Sequence, residues 1–424
     1  MVTGAASIVR PADVAGVVDA VRAAAVDGRT VAIQGAGTKT AWGGRLAAVD
    51  LVLSTTALTG VVAHEPGDRV VTVRSGTPLR ELQETLAASG QRLSVESGYA
   101  DATVGGVLAA GEAGPLRLRY GSGRDLLIGV EFVRADGVVA HSGGRVVKNV
   151  AGYDLGRLLC GSYGTVGVIT TATFRLHPLP AAVAWVVAAG VRPDAFLPPG
   201  PSPGGSSPGG GSRPGPGGLT DAADASRPAA IAVLADLATL VPSAVEANLA
   251  GPEDAGELAV LVEGSPAGVT ARARAVRTLL AHRLAGADVT VVTQPPAWWG
   301  RYPFAAGEVG LKLALPVSAV PAVLGRLRER FGPRLAVRGS LGSGVLYAGL
   351  PATVAAGVLA GALAEIRAGL AGTGGTCVVL TAPPSIRDGL DLWGEVAGLS
   401  LMRRLKAQFD PAGRFAAGRF VGGL

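Results

Sequence analysis

The sequence predicts an α+β protein, and three observations carry that reading. Residues 8–190 alternate helix-period and strand-period segments, and the joints between them are glycine loops. Residues 193–228 are dominated by Pro, Gly and Ser. Beyond them, strands and helices alternate again without such loops. At 424 residues the chain is long enough for two or three domains and a large core.

Each element has a local reason. Val14, Val17, Val18 and Val21 fall at spacings of three and four, so residues 11–27 read as a helix. Pro11 suits its first turn and Gly28 the position just past its end. A strand at 30–33 runs into Gly35-Ala36-Gly37-Thr38-Lys39. This is not a dinucleotide fingerprint, because Thr40 stands where a third Gly is needed and Trp42-Gly43-Gly44 prevents a following helix. It is not a P-loop either, since the Gly-Lys-Ser/Thr ending is missing. Consecutive backbone N–H groups in a glycine turn still suit an anion. Strands are expected at 49–54 and 69–75. Thr77-Pro78 opens a helix with Leu79, Leu82 and Leu86 on one face, and Gly90 closes it. Glu96-Ser97-Gly98 follows, then Thr103-Val104-Gly105-Gly106 at the head of another short helix. Tyr120-Gly121 and residues 125–129 lead into a strand at 129–135. Asp136-Gly137 turns it back along 138–141.

The densest stretch is Gly143 to Thr171. It holds Lys148-Asn149-x-x-Gly152-Tyr153-Asp154, a short apolar helix at Leu155 to Leu159, and Gly161-Ser162-x-Gly164-Thr165-x-Gly167. Val168-Ile169 then begins a strand. Glycines cluster like this where backbone must come close to something or adopt positive φ, and Ser and Thr can donate to the oxygens of an anionic ligand. Spacing alone leaves two readings open, a nucleotide-binding turn and a tight helix-to-strand turn. The abundance of glycine, 64 residues, lowers the weight of any single motif.

After a strand at 183–189, residues 193–228 cannot bury enough apolar surface to offset their ordering entropy and are expected to be disordered. Strands follow at 258–262, 288–293, 310–315, 334–338, 344–349 and 376–381, with helices at 266–284, 318–330 and 352–370. This predicts a sheet of antiparallel strands with helices on one face. Residues 399–408 read as a basic amphipathic helix, followed by Phe409-Asp410-Pro411 and Gly418-Arg419.

Composition excludes several classes. The net charge is +6, but arginines are scattered, form no run of five and are not interleaved with aromatics, which points to a solvated basic surface and not to a nucleic-acid site. Cys160 and Cys377 are too few and too far apart for a zinc or iron–sulfur site, and read as buried thiols. No signal-peptide pattern opens the chain, and no run of eighteen apolar residues is present, so the expected compartment is the cytoplasm. His64, His141, His177 and His282 sit in unrelated contexts, each read as a satisfied or exposed histidine. No His/Cys/Asp/Glu cluster has metal-ligand spacing.

Taken together, these loops resemble the flavoprotein superfamily of vanillyl-alcohol oxidase type, whose FAD domain is named after p-cresol methylhydroxylase. The likeness covers nearly all of residues 8–180 and, separately, 399–419. The Lys148–Asp154 run with Gly161–Ile169, and Leu401-Met402 through Lys406 with Phe409-Asp410-Pro411, look like the glycolate oxidase branch and most like its FAD-binding accessory subunit.

The resemblance implies a two-part FAD-binding domain at 1–180 and an α+β, ferredoxin-like cap at 181–390, interrupted by the linker at 193–228. A segment at 391–424 would return to the flavin region. It implies that Gly35, Ala36, Gly37 and Thr38 hold the pyrophosphate. Ser97, Gly98, Thr103, Val104, Gly105 and Gly106 would lie along the pyrophosphate and flavin, with Gly111 beyond them. Gly161, Gly164, Gly167, Val168 and Ile169 would line the ribose and adenine side. Glu96 and Lys148 are candidate polar partners near the flavin, with a structural ion pair an equal reading for Lys148.

Three departures matter. Gly111-Glu112-Ala113-Gly114-Pro115 replaces the Asn-Ala-Gly-Gly of catalytic relatives, which implies looser flavin contacts. The first loop has no His, so FAD is expected to be noncovalent. The C-terminal Asn-Pro-Gly-Arg appears as Ala416-Ala417-Gly418-Arg419, leaving Arg419 as a candidate anion contact or a structural cap. The implied function is that of an FAD subunit in an assembly oxidising glycolate or another 2-hydroxy acid. Its partners would be a larger catalytic flavoprotein and an iron–sulfur subunit, able to hold it at the inner face of the membrane. A self-sufficient D-lactate-type dehydrogenase and a structural subunit without flavin function are the alternatives, and no catalytic residue is assigned.

Overall fold

Asp13 starts the first helix. Its carboxylate accepts the N–H of Gly16, and α1 runs Val14–Val26. The helix begins later than the expected residue 11 because Asp13 supplies the cap that Pro11 cannot. Val17, Val18 and Val21 are buried, and Gly28 follows at φ +66°.

The computed structural model describes residues 6–144, 153–197, 228–249 and 255–424. The chain divides into two units, Met1–Leu179 with Val378–Leu424, and Pro180–Cys377.

In the first unit, β1 (Ser7–Val9), β2 (Val31–Gln34) and β3 (Leu51–Ser54) form a parallel sheet in the order β1-β3-β2. The far edge of β2 meets the end of the chain. Val31 and Phe415 form a parallel bridge, with Val31 N–H donating to Arg414 O (2.9 Å) and Ala416 N–H to Val31 O (2.8 Å).

A second, antiparallel sheet contains β4 (Val61–Glu65), β5 (Val70–Arg74), β7 (Leu127–Val133), β8 (Val139–Gly143) and β9 (Val168–Arg175), in the order β4-β5-β9-β7-β8. The sequence reading omitted β4, a short and partly exposed edge strand between turn residues. Between the strands lie α2 (Leu79–Ala87), β6 (Gln91–Arg92), α3 (Val104–Ala110), α4 (Arg117–Tyr120), α5 (Gly123–Leu126) and α6 (Leu155–Leu159). β10 (His177–Pro178) pairs with β6. Leu79, Leu82 and Leu86 of α2 and Val104 and Leu108 of α3 join Val71, Val73, Phe132 and Phe174 of the sheet in one core. Each such side chain contributes about 1.5–3 kcal/mol on burial.

A buried ion pair fastens the C-terminal helix Leu399–Phe409 within this unit. Lys406 Nζ donates to Asp410 (2.6 Å), Thr165 O (2.7 Å) and Phe415 O (2.8 Å). Asp410 also accepts the N–H groups of Arg414 and Phe415.

The second unit is built on an eight-stranded sheet. Its strands are β11 (Ala182–Val191), β12 (Ala244–Leu249), β13 (Gly256–Gly264), β14 (Asp288–Val292), β15 (Val309–Ala314), β16 (Ala336–Ser340), β17 (Val345–Leu350) and β18 (Thr376–Thr381). The order is β14-β11-β13-β12-β16-β17-β15-β18, and the division between the units falls inside β18. Helices Pro266–Arg283, Val320–Phe331 and Ala356–Leu370 lie close to the expected positions. The helix Ala229–Leu237 and β12 were not expected. β12 hides because Glu246 and Asn248 interrupt its apolar run. Asn248 is satisfied laterally, donating to Glu257 (2.8 Å) and accepting from Arg338 Nε (2.8 Å). Residues 198–227 of the linker expected at 193–228, and Lys148 with its neighbours 145–152, lie outside the described residues. No helix of the described residues is long and apolar enough to cross a membrane.

Candidate functional site

Three of the glycine loops face one trough in the first unit. Gly35, Ala36, Gly37 and Thr38 enter from the end of β2. Thr103, Gly105 and Gly106 enter from the head of α3, and Gly164, Gly167 and Ile169 from the turn into β9. The trough is an open cleft of about 830 Å³, counting the part open to solvent.

Close approach fixes the residue types. A Cβ on Gly35 would collide with Thr103 Oγ1, so the first loop can lie against α3 only as glycine. Thr103 in turn caps α3 by accepting the Gly106 N–H (3.3 Å). The Gly43-Gly44 pair, read above as a helix breaker, has a further role. A Cβ on Gly44 would strike Gly418 O, and Gly44 N–H donates to Arg419 O (2.8 Å), so the pair admits the returning C-terminal segment.

The trough offers donors. Among the described residues, the N–H groups of Ala36, Gly37 and Thr38 make no hydrogen bond, and Gly37 sits at φ +82°. This is an anion-binding nest. Ser75 is fully buried on the trough wall, with its Oγ lacking a partner. Two cations line the same wall. Arg419 donates to Thr40 O and to Trp42 O (2.8 Å), and burial, with Arg387 nearby, pulls its guanidinium down to about 10. Lys39 Nζ pairs with Glu112 at 2.8 Å, both side chains almost fully buried, and lies 5.2 Å from the Tyr99 ring centroid.

The remaining candidates lie elsewhere. Ser97 Oγ (2.8 Å) and Gly98 N–H (2.9 Å) both donate to the Glu112 carboxylate and do not line the trough. Glu96 accepts the Leu116 N–H. Val104 and Val168 are buried in the two cores of the unit. Gly111, at φ +61°, closes α3, and Gly161 packs against it, with Gly161 N–H donating to Leu108 O (2.9 Å). Sequence reasoning missed Gln34, Ser75, Ala109, Tyr163 and Ala416, which also line the trough. Tyr163 was signalled as the unassigned position inside Gly161–Gly167, and Ala416 as part of the departure at Ala416-Ala417-Gly418-Arg419, but neither was read as lining the site. Among the described residues no carboxylate, imidazole or thiol lines the trough. Burial pushes the Cys160 thiol up to about 12 and the Cys377 thiol to about 11.

With this geometry in place, the family comparison decides the cofactor. A model of the FAD binding domain matches residues 5–143. Residues 5–143 are an FAD-binding domain. The donors found in the trough suit such a group: an unpartnered N–H nest for a pyrophosphate, a buried hydroxyl and two cations.

Curated relatives match about a third of the chain. The glycolate oxidase subunit GlcE of Escherichia coli is 43% identical over 125 residues, 29% of this chain and 36% of the relative. The D-lactate dehydrogenase of Archaeoglobus fulgidus is 36% identical over 148 residues, 35% of this chain and 33% of the relative. The matched stretches thus span only about a third of either relative's length. Alkyldihydroxyacetonephosphate synthase shares the fold over 97% of this chain and 77% of its own, with a TM-score of 0.64 at 15% identity.

Proposed function

We propose that this chain is the FAD-binding subunit of an assembly that oxidises glycolate or a related 2-hydroxy acid. The observation that supports it most is the meeting of three loops on one trough, two of them within the residues that match an FAD binding domain. In this reading FAD is held noncovalently. The Gly35–Thr38 N–H groups receive the pyrophosphate, Thr103–Gly106 lies along the pyrophosphate and flavin, and the 161–169 turn takes the ribose and adenine side. Lys39 and Arg419 balance the phosphate charge, and Ser75 donates to an oxygen of the cofactor.

Bound FAD supplies an acceptor for the hydride equivalent leaving a carbinol carbon. The carbinol proton must still go to a base. Among the described residues the trough wall offers hydroxyls, a carboxamide, a phenol and two cations but no carboxylate or imidazole, which favours dehydrogenation by a larger flavoprotein partner with an iron–sulfur partner taking the electrons onward. The subunit name of the Escherichia coli relative points the same way. The second unit is read as the cap, and the cytoplasm as the compartment.

Purification of the chain alone tests the proposal. The expected result is a yellow protein whose FAD is released by acid or denaturant and which does not reduce an artificial acceptor with glycolate. Turnover by the isolated chain would transfer the reading to a self-sufficient 2-hydroxy acid dehydrogenase. A chain that neither retains nor rebinds FAD would overturn it.

A further inference from the structure

Tyr163 is the single aromatic among the described residues that line the trough. It stands between Gly161 at φ +79° and Gly164 at φ +76°, and is itself at φ +55°. A bulky side chain is strained in that left-handed region, where glycine or asparagine sits with ease. The fold holds it there. Tyr163 N–H donates to Ala109 O (2.8 Å) on α3, and Ala109 also lines the trough. Two further rings brace the phenol. Trp393 meets it edge-on with centroids 5.7 Å apart, Phe420 lies at 5.8 Å, and those two pack on each other at 5.2 Å. Gly43 makes room for the ring. A Cβ there would lie 3.5 Å from Tyr163 Cε1 and 3.3 Å from Arg419 Cδ, so the phenol ring and the Arg419 stem meet over one bare stretch of backbone.

Strain kept at a site points to what the side chain does there. Packing alone would be served by a ring wholly inside the aromatic trio, yet Tyr163 is half-buried and keeps part of its surface on the trough. A flat, braced ring beside a guanidinium, on the same trough as an N–H nest, suits a heterocycle attached to phosphates. Stacking holds the base while the donors hold the charge. We infer that Tyr163 is the stacking platform for the adenine ring, and that it makes the trough select a flavin dinucleotide over a flavin mononucleotide. The inference rests on the flavin reading, in which the 161–169 turn takes the ribose and adenine side, and adds a residue and a selectivity to it. The isoalloxazine is the other planar group of FAD, and in that reading it runs along the glycines at the head of α3, which carry no ring.

The test measures binding of FAD to the flavin-free full chain, with ADP and FMN as probes that each carry only one of its ring systems. Y163N and Y163G remove the ring with residues that accept a positive φ, and Y163F keeps it. Thermal denaturation of the flavin-free variants establishes that they fold. The wild type is expected to bind FAD, and ADP to compete for the site. Y163N and Y163G should bind FAD and ADP about tenfold or more weakly, with FMN unchanged within about twofold. Y163F should match the wild type. Unchanged FAD binding in folded Y163N or Y163G, or ADP that does not compete in the wild type, overturns the inference and leaves the flavin reading standing. So does a loss for FMN as large as that for FAD, which would put the ring against the isoalloxazine. A wild-type chain that binds no FAD overturns the flavin reading itself.

Discussion

Replacing Glu112 by Leu should strand a buried ammonium. Lys39 and Glu112 meet at 2.8 Å with side-chain exposures of 7% and 1%, so neither charge can turn to water without opening the trough wall. Removing one member of a buried pair costs about 3–5 kcal/mol, because the survivor remains desolvated and uncompensated. Ser97 Oγ and Gly98 N–H lose their acceptor in the same step, which keeps E112L at the upper end of that range. For a unit of this size the expected loss is on the order of 10 °C in Tm. Calorimetry of the flavin-free chain measures it directly, with K39M and the double variant K39M/E112L completing a cycle. The double variant buries no charge and should be more stable than E112L. A loss below about 2 °C for both single variants, or a double variant whose loss equals the sum of the singles, would refute the claim that the two groups hold one another. FAD binding by K39M should also be weaker, since the trough then keeps one cation in place of two.

The Lys406→Met variant leaves Asp410 buried with only backbone N–H partners. It should cost about 3–5 kcal/mol and raise the susceptibility of residues beyond 409 to proteolysis, measured by limited digestion. His177 is held below the usual imidazole range by burial and by Arg175, Arg92, Arg69 and Arg119. The folded state therefore binds fewer protons than the unfolded one, and stability that is complete above about pH 6.5 falls as pH drops through the lower folded value. Tm measured from pH 7.5 to 5 should decline in the wild type, with a smaller slope in H177N. The raised thiols of Cys160 and Cys377 predict that Ellman's reagent finds little free thiolate in the native chain at pH 8. Both cysteines should react fully in denaturant.

What the sequence revealed of the site follows the range over which each requirement acts. Gly35 and Gly105 were legible because their constraint is local: a loop that must touch Thr103 or Ser75 excludes a side chain, and the glycine records it. Glu112 was visible only as a departure from a family pattern. Its meaning depends on Lys39 and Ser97, which lie far off in sequence and approach it only in the folded unit. The same holds for Ser97 and Gly98, whose donors were assigned to a ligand while the structure turns them to a carboxylate of the chain itself. Ser75 carries no motif, and its burial without a partner can be known only from the packing around it. In the fold, apolar spacing located most helices and strands. It failed at β12, where Glu246 and Asn248 interrupt the apolar run and Asn248 is satisfied by lateral partners, Glu257 and Arg338, that a one-dimensional pattern cannot show.

The bridge between Val31 and Phe415 bears on how the chain is made. A ribosome delivers β2 early, yet the backbone partner of Val31 emerges only after the whole second unit has been synthesised. Until then the nascent first unit carries an open strand edge beside the loop that bears Gly35–Thr38. The edge of β2 is thus completed only when translation has passed residue 416, and a truncation that removes this bridge will be felt at a trough whose first loop was encoded hundreds of codons earlier.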